Sequence, residues 1–286
     1  MSILYETEEQ AVIAAGYDGD ITHLQIPEKI DGLPVRRTAP RAFANRSDLL
    51  TVTLPSSLRQ LGRFTFYSCR NLKKVLLYDG ITDLGDGVFR QCRSLRDLEL
   101  HLELNKYGIL REILSDTDSC MRFMLHLPDG PACLTFPEYL AEYEEDTRAR
   151  AMHYHIEGIG FAFRECVSRA GIDFRGYDRL FARIRMLDAR QAAQIALDRL
   201  LYPYELAEAA RSLYEQYLRE NACAVIRQVI GEKHLKWLTL LTSCRLLDQE
   251  AVETGVRLAS GMKNAEFVSI LMNAAPPRRA GTTFTL

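Results

Sequence analysis

No uninterrupted run of about 18 apolar residues occurs in the chain, so nothing in it reads as a membrane-spanning helix. Charge of one sign is equally lacking. Lys and Arg number 36 against 38 Asp and Glu, a formal net charge of −2. That balance argues against a partner chosen by bulk electrostatics, nucleic acid above all. The seven cysteines include no CxxC pair and no spacing typical of a metal site or a disulfide framework, which suits free thiols in a reducing compartment. The first ten residues have neither a basic stretch nor an apolar core, so they do not read as a secretory leader, and a cytoplasmic location is expected.

Catalytic signatures are also missing. There is no HExxH, and Gly158-Ile-Gly160 lacks the strand–GxGxxG–helix setting that would cradle a pyrophosphate. Asp116-Thr-Asp118 lacks the ligand pattern of a calcium loop. One stretch invites a metal: His153, His155 and Glu157 would share a face on a strand, and two imidazoles with a carboxylate form a zinc-type ligand set. A metal-dependent hydrolase centred there is one alternative reading. The favoured expectation is no enzyme, no cofactor and no metal, with the Glu142, Glu144, Glu145, Asp146 cluster a solvated face facing Arg148, Arg150, Arg164 and Arg169.

What the chain does have is a period. Leu49, Leu72 and Leu95 recur at a step of 23, as do Val52, Val75 and Leu98, and Leu54, Leu77 and Leu100. Phe43, Phe66 and Phe89 follow the same step, Gly62 matches Gly85, and Cys69 matches Cys92. Leucine-type residues at L-x-x-L-x-L spacing with a period in the twenties predict stacked coils, each with one short strand, in which equivalent side chains pile into buried columns. These residues resemble the BspA-type (Treponema pallidum-type) leucine-rich repeat. An earlier coil from Ile21 fits with Leu24, Ile26, Pro27, Ile30 and Phe43, carrying five extra residues at 31–35. Thr38, Ala39, Arg46 and Tyr78 depart from the family pattern. The resemblance implies a binding scaffold without catalytic residues.

The expected architecture is α+β, with a short capped leucine-rich-repeat solenoid over 1–105 and an all-α, α-solenoid-like domain over 106–286. Residues 2–20 read as a hairpin covering the open end of the coils. Tyr107, Leu110 and Leu114 predict a helix closing the other end, with no further coil after Leu100. Residues 116–136 read as an irregular connection. Helices are expected from Phe136-Pro137-Glu138 onward, and over Phe161–Arg169, Asp178–Met186, Gln191–Leu201, Tyr204–Tyr217, Cys223–Ile230, Leu235–Leu241, Glu250–Ser260 and Ala265–Met272. The last pair is loosely similar to an ankyrin-type or HEAT-type unit.

Because side chains alternate along a strand, the concave columns are expected to be His23, Thr51, Lys74, Asp97 and Gln25, Thr53, Leu76, Glu99. They are the candidate contact residues for a protein partner, bound through this face and a helical groove. A cell-surface adhesin or host-binding module is the second alternative.

Overall fold

The computed structural model describes residues 2–146 and 151–274; side chains of 141–146, 151–155 and Leu187 are outside that description. The chain forms two compact units, Met1–Arg183 and Ile184–Leu286.

The first unit starts with the hairpin β1 (Ile3–Glu8) and β2 (Ala11–Tyr17). Then come β3 (His23–Gln25), β4 (Lys29–Ile30), β5 (Leu33–Thr38), β6 (Thr51–Thr53), β7 (Gln60–Leu61), β8 (Lys74–Tyr78), β9 (Asp83–Leu84) and β10 (Asp97–His101). Each coil contributes a strand to each of two sheets. The second-edge sheet runs β1-β2-β5-β7-β9, with β4 paired to β5. The expected N-terminal cap is therefore present, and it works by adding two strands to that sheet, with β2 parallel to β5.

Between the sheets the 23-residue period becomes columns. Phe43 stacks on Phe66 at 5.5 Å and Phe66 on Phe89 at 5.8 Å, with rings within 12° and 4° of parallel. All three are buried, each ring contributing about 1.5–3 kcal/mol by leaving water. The cysteine column has its own reason. Cys69 Sγ donates to Phe43 O and Cys92 Sγ to Phe66 O, both at 3.0 Å, so each thiol ties its coil to the one before. At the first coil Arg46 takes the cysteine's place and binds instead to Asp48, at 3.0 and 2.7 Å, and to the Tyr17 and Gly19 carbonyls. The glycine column is required by close approach. A Cβ on Gly62 would sit 2.6 Å from Thr38 O, and one on Gly85 would sit 2.5 Å from Arg63 N.

The expectation that strands end near Leu100 is corrected by the structure. The helix α1 (Gly108–Ser115) forms as expected, burying Ile109, Leu110, Ile113 and Leu114, and it packs against β9. Beyond it, β11 (Met121–Leu127) pairs parallel to β10, and β12 (Gly130–Phe136) folds back antiparallel on β11. Residues 116–136 are thus largely a hairpin, and the concave sheet has six strands in the order β12-β11-β10-β8-β6-β3. At a spacing of about 4.8 Å its strands span about 24 Å, against about 15 Å for the four periodic strands alone. The helix expected from Phe136 is likewise replaced by strand. β13 (Leu140–Asp146) pairs antiparallel with β14 (Ala151–Glu157), strand pairing having overridden the helical propensity of a Leu/Ala/Glu-rich segment. The expected boundary at 105/106 therefore falls inside the first unit.

Three devices finish this end. Buried Asp79 accepts from Leu104 N (2.7 Å) and Lys106 N (3.0 Å), steering the chain out of β10. Arg164, on α2 (Gly160–Glu165), is 2% exposed and donates to the carbonyls of Thr117, Ser119, Pro137 and Gly160. Its guanidinium also lies 4.8 Å from the Tyr139 ring centroid. Arg164 is a clamp on backbone carbonyls, where the sequence suggested a partner for surface carboxylates. On α3 (Phe174–Arg179), the Tyr177 hydroxyl accepts from Thr135 N and donates to Thr135 O, covering the outer edge of β12.

The second unit begins within α4 (Phe181–Leu187). It continues with α5 (Ala189–Leu201), α6 (Glu208–Glu220), α7 (Ala222–Gly231), α8 (Leu235–Ser243), α9 (Gln249–Gly261) and α10 (Ala265–Ala274). Four of these helices start on a side-chain cap: Asp188, His234, Asp248 and Asn264 accept from the amides of Gln191, Trp237, Ala251 and Phe267. The turns α7–α8 and α9–α10 are copies, each with a lysine at positive φ (Lys233 at 54°, Lys263 at 55°). Buried Asp198 accepts from Trp237 Nε1 at 2.9 Å, joining α5 to α8.

Candidate functional site: the concave sheet face

The inward residues of each concave strand fill the core, which forces the alternate ones outward. Register then decides which of them meet. Pairings place His23 beside Thr51, Thr51 beside Lys74, Lys74 beside Asp97, and Asp97 beside Arg122. The second column runs Gln25, Thr53, Leu76, Glu99, Met124. All eight residues anticipated from the repeat therefore lie on one face. The structure adds Arg122 and Met124 from β11, and a third column of Tyr78, His101 and His126.

The two ends of the face differ chemically. Toward β3 it is neutral and polar, His23 Nδ1 lying 2.8 Å from Thr51 Oγ1. Toward β11 it is aromatic and ionic. Tyr78 stacks on His101 at 4.8 Å and His101 on His126 at 4.3 Å. Glu99 is the hub of this end. Its Oε2 meets Lys74 Nζ at 2.5 Å, and its Oε1 lies 2.9 Å from His126 Nε2 and 3.9 Å from His101 Nε2. Arg122 reaches Asp97 at 3.5 Å. Burial works against ionised Glu99, yet Lys74 and His126 hold it below the ordinary carboxylate value. Burial and the neighbouring His126 keep His101 below the ordinary imidazole value. Burial, reinforced by Glu103, Glu28 and Glu99, raises the Tyr78 phenol.

His101 was visible in the sequence only as part of an alternating tail, and His126 was missed. The signal for His126 was present: Met121, Phe123, Leu125 and Leu127 alternate with polar or flexible residues and end on Pro128-Asp129-Gly130, a hairpin pattern. The other sequence candidate, His153/His155/Glu157, occupies alternate positions of β14, but the histidine side chains fall outside the described residues. In the helical unit, α5, α6 and α7 border a cleft of about 530 Å³ lined by Ala189, Ala193, Tyr217, Val225, Gln228 and Glu232. The Arg190–Glu232 ion pair (3.0 Å) stands at it.

Residues 17–111 match the family model of the BspA type leucine rich repeat region, in six copies. This segment is a BspA-type leucine-rich repeat. Such repeats make a protein-interaction or surface-binding module. Among solved structures, the BspA-type region is similar to a leucine-rich repeat protein of T. pallidum, at 28% identity over 37% of this chain and 53% of that one, TM-score 0.33. It is also similar to a leucine-rich cell surface protein of Faecalibacterium prausnitzii, at 22% identity over 36% and 34% of the two chains, TM-score 0.30. A leucine-rich repeat protein of Bacteroides ovatus shares 16% identity over 35% and 45%, TM-score 0.24. The match thus spans about half the length of the T. pallidum protein and about a third of the Faecalibacterium one. No curated protein matches the chain. Among the described residues, no helix is long and apolar enough to cross a membrane.

Proposed function

We propose that the chain is a non-enzymatic scaffold that binds a partner protein on the concave face of its BspA-type sheet. The observation that carries this reading is the set of columns itself: outward side chains aligned over five parallel strands, with half-buried Leu76 and Met124 flanking the charged hub at Glu99. Apolar contacts bordered by fixed charges supply affinity and register together. A face about 24 Å across falls short of the roughly 800 Å² per partner of a standard interface. The contact suits a protruding loop or an extended segment, with the α5–α7 cleft available as a second surface.

Cys69 and Cys92 are held as buried thiols against carbonyls, which supports the reading of a reducing, cytoplasmic setting. The test uses one engineered face and one control. A partner captured from native cells by the wild-type chain is expected to be lost with Leu76→Arg and kept with Arg70→Glu, an exposed turn residue. Equal capture by both variants, with folding verified by circular dichroism, would refute a concave binding face.

A further inference from the structure

We propose that Glu99, His101 and His126 form a binding site for a zinc-class divalent ion on the concave face. The three donors come from the simplest arrangement a parallel sheet offers. Glu99 and His101 are two residues apart on β10, hence on one face, and His126 is the direct register partner of His101 on β11. Their ligand atoms all lie within 4.8 Å of one another. Four-coordinate zinc with bonds of about 2.0–2.2 Å needs donors about 3.3 Å apart. The Glu99–His126 pair is already at 2.9 Å and Glu99–His101 at 3.9 Å, and binding turns the two rings, stacked 16° from parallel, until both Nε2 lone pairs converge on the ion.

The surroundings match what such a site needs. Lys74 holds Oε2 of Glu99 and so aims Oε1 at both imidazoles, an orienting contact of the kind that tunes metal ligands. On binding, the ion replaces the direct contact between His126 Nε2 and Glu99 Oε1. Two imidazoles and one carboxylate select zinc, nickel or copper over magnesium or calcium, whose preferred ligands are all oxygen. With three protein donors, and the histidines 27% and 39% exposed, the fourth position faces solvent and is open to water or a partner's side chain.

The site is independent of the scaffold reading, since an ion can bind with no protein partner present. Zinc chloride titrated calorimetrically into the full chain under a phosphine reductant tests it, with cobalt(II) absorption as the spectroscopic signature. One ion per chain is expected, with the intense visible bands of a four-coordinate centre. His126→Gln and Glu99→Gln should each weaken binding at least tenfold, whereas Glu99→His, which restores a third donor, should retain it. Absence of binding below millimolar zinc would overturn the proposal. So would binding that His126→Gln and His101→Gln leave unchanged, which would assign the ion to thiols or to histidines elsewhere.

Discussion

The concave sheet is built in two ways, and comparing its halves shows what holds a solenoid in register. From β6 to β10 each concave strand repeats the one before at a step of 23 residues, and from β3 to β6 the step is 28 because of the five extra residues. The coils also lay down a phenylalanine column behind the sheet, joined after the first coil by cysteine and glycine columns. From β10 to β12 the same hydrogen-bonded sheet continues without the period. Leu98 pairs with Phe123, a step of 25, and α1 replaces the second-edge strand. The backbone ladder needs only alternation of inward and outward side chains, whereas the columns behind it need the fixed step. The ionic and aromatic cluster straddles this junction, with His101 on the last periodic strand and His126 on the hairpin.

Removing a side chain from each half should separate the two modes of construction. Phe66→Ala deletes the middle ring of the stacked column and should cost about 3–5 kcal/mol, read by chemical denaturation. Its loss should accelerate amide exchange in the neighbouring coils on both sides. Arg164→Met strips four carbonyls at the hairpin end of their donor and should cost on the order of 3 kcal/mol. Here exchange should rise first in β11 and β12, with the coils around Phe66 still protected. If both variants lose protection everywhere at once, the halves form one cooperative unit and the distinction fails. Tyr177→Phe removes the hydroxyl that covers Thr135 at the sheet edge and should cost about 1–3 kcal/mol. Light scattering should detect any edge-to-edge association that follows.

The smallest effect concerns pH at the opposite end. Hydrogen bonding to Arg46, helped by the Ile21 amide, lowers the Asp48 carboxyl from 3.8 to about 2. A lowered carboxylate stabilises the fold above its unfolded value, and that contribution fades as pH falls from about 4 to about 2. Asp48→Asn should therefore flatten the acid limb of the stability profile. An unaltered profile would mean that the first coil is held without this pair.

How much was legible follows from the same contrast. The coils, their caps at both ends and the eight concave positions could be read because a repeated step multiplies a weak signal. The helices of the second unit were legible from their 3.6-residue patterns, whereas caps such as Asp248 were seen only in the structure. The hairpins were not. Residues 121–136 carry one alternating run without a repeat to reinforce it, and 140–146 has helix-prone composition that only pairing with β14 overrides. One of the three residues of the candidate metal site was missed for that reason: Glu99 stood in a periodic column, whereas His126 enters only once β11 is seen to be the next strand.

The central claim is that the functional face runs unbroken across the junction. Met124 is the register partner of Glu99 on β11, as Leu76 is on β8. The decisive measurement is the affinity of a partner captured by the wild-type chain for Met124→Arg beside Leu76→Arg. The account predicts that both weaken binding by tenfold or more. If Leu76→Arg alone weakens it, with Met124→Arg folded and fully active, the hairpin is only a cap and the claim is contradicted.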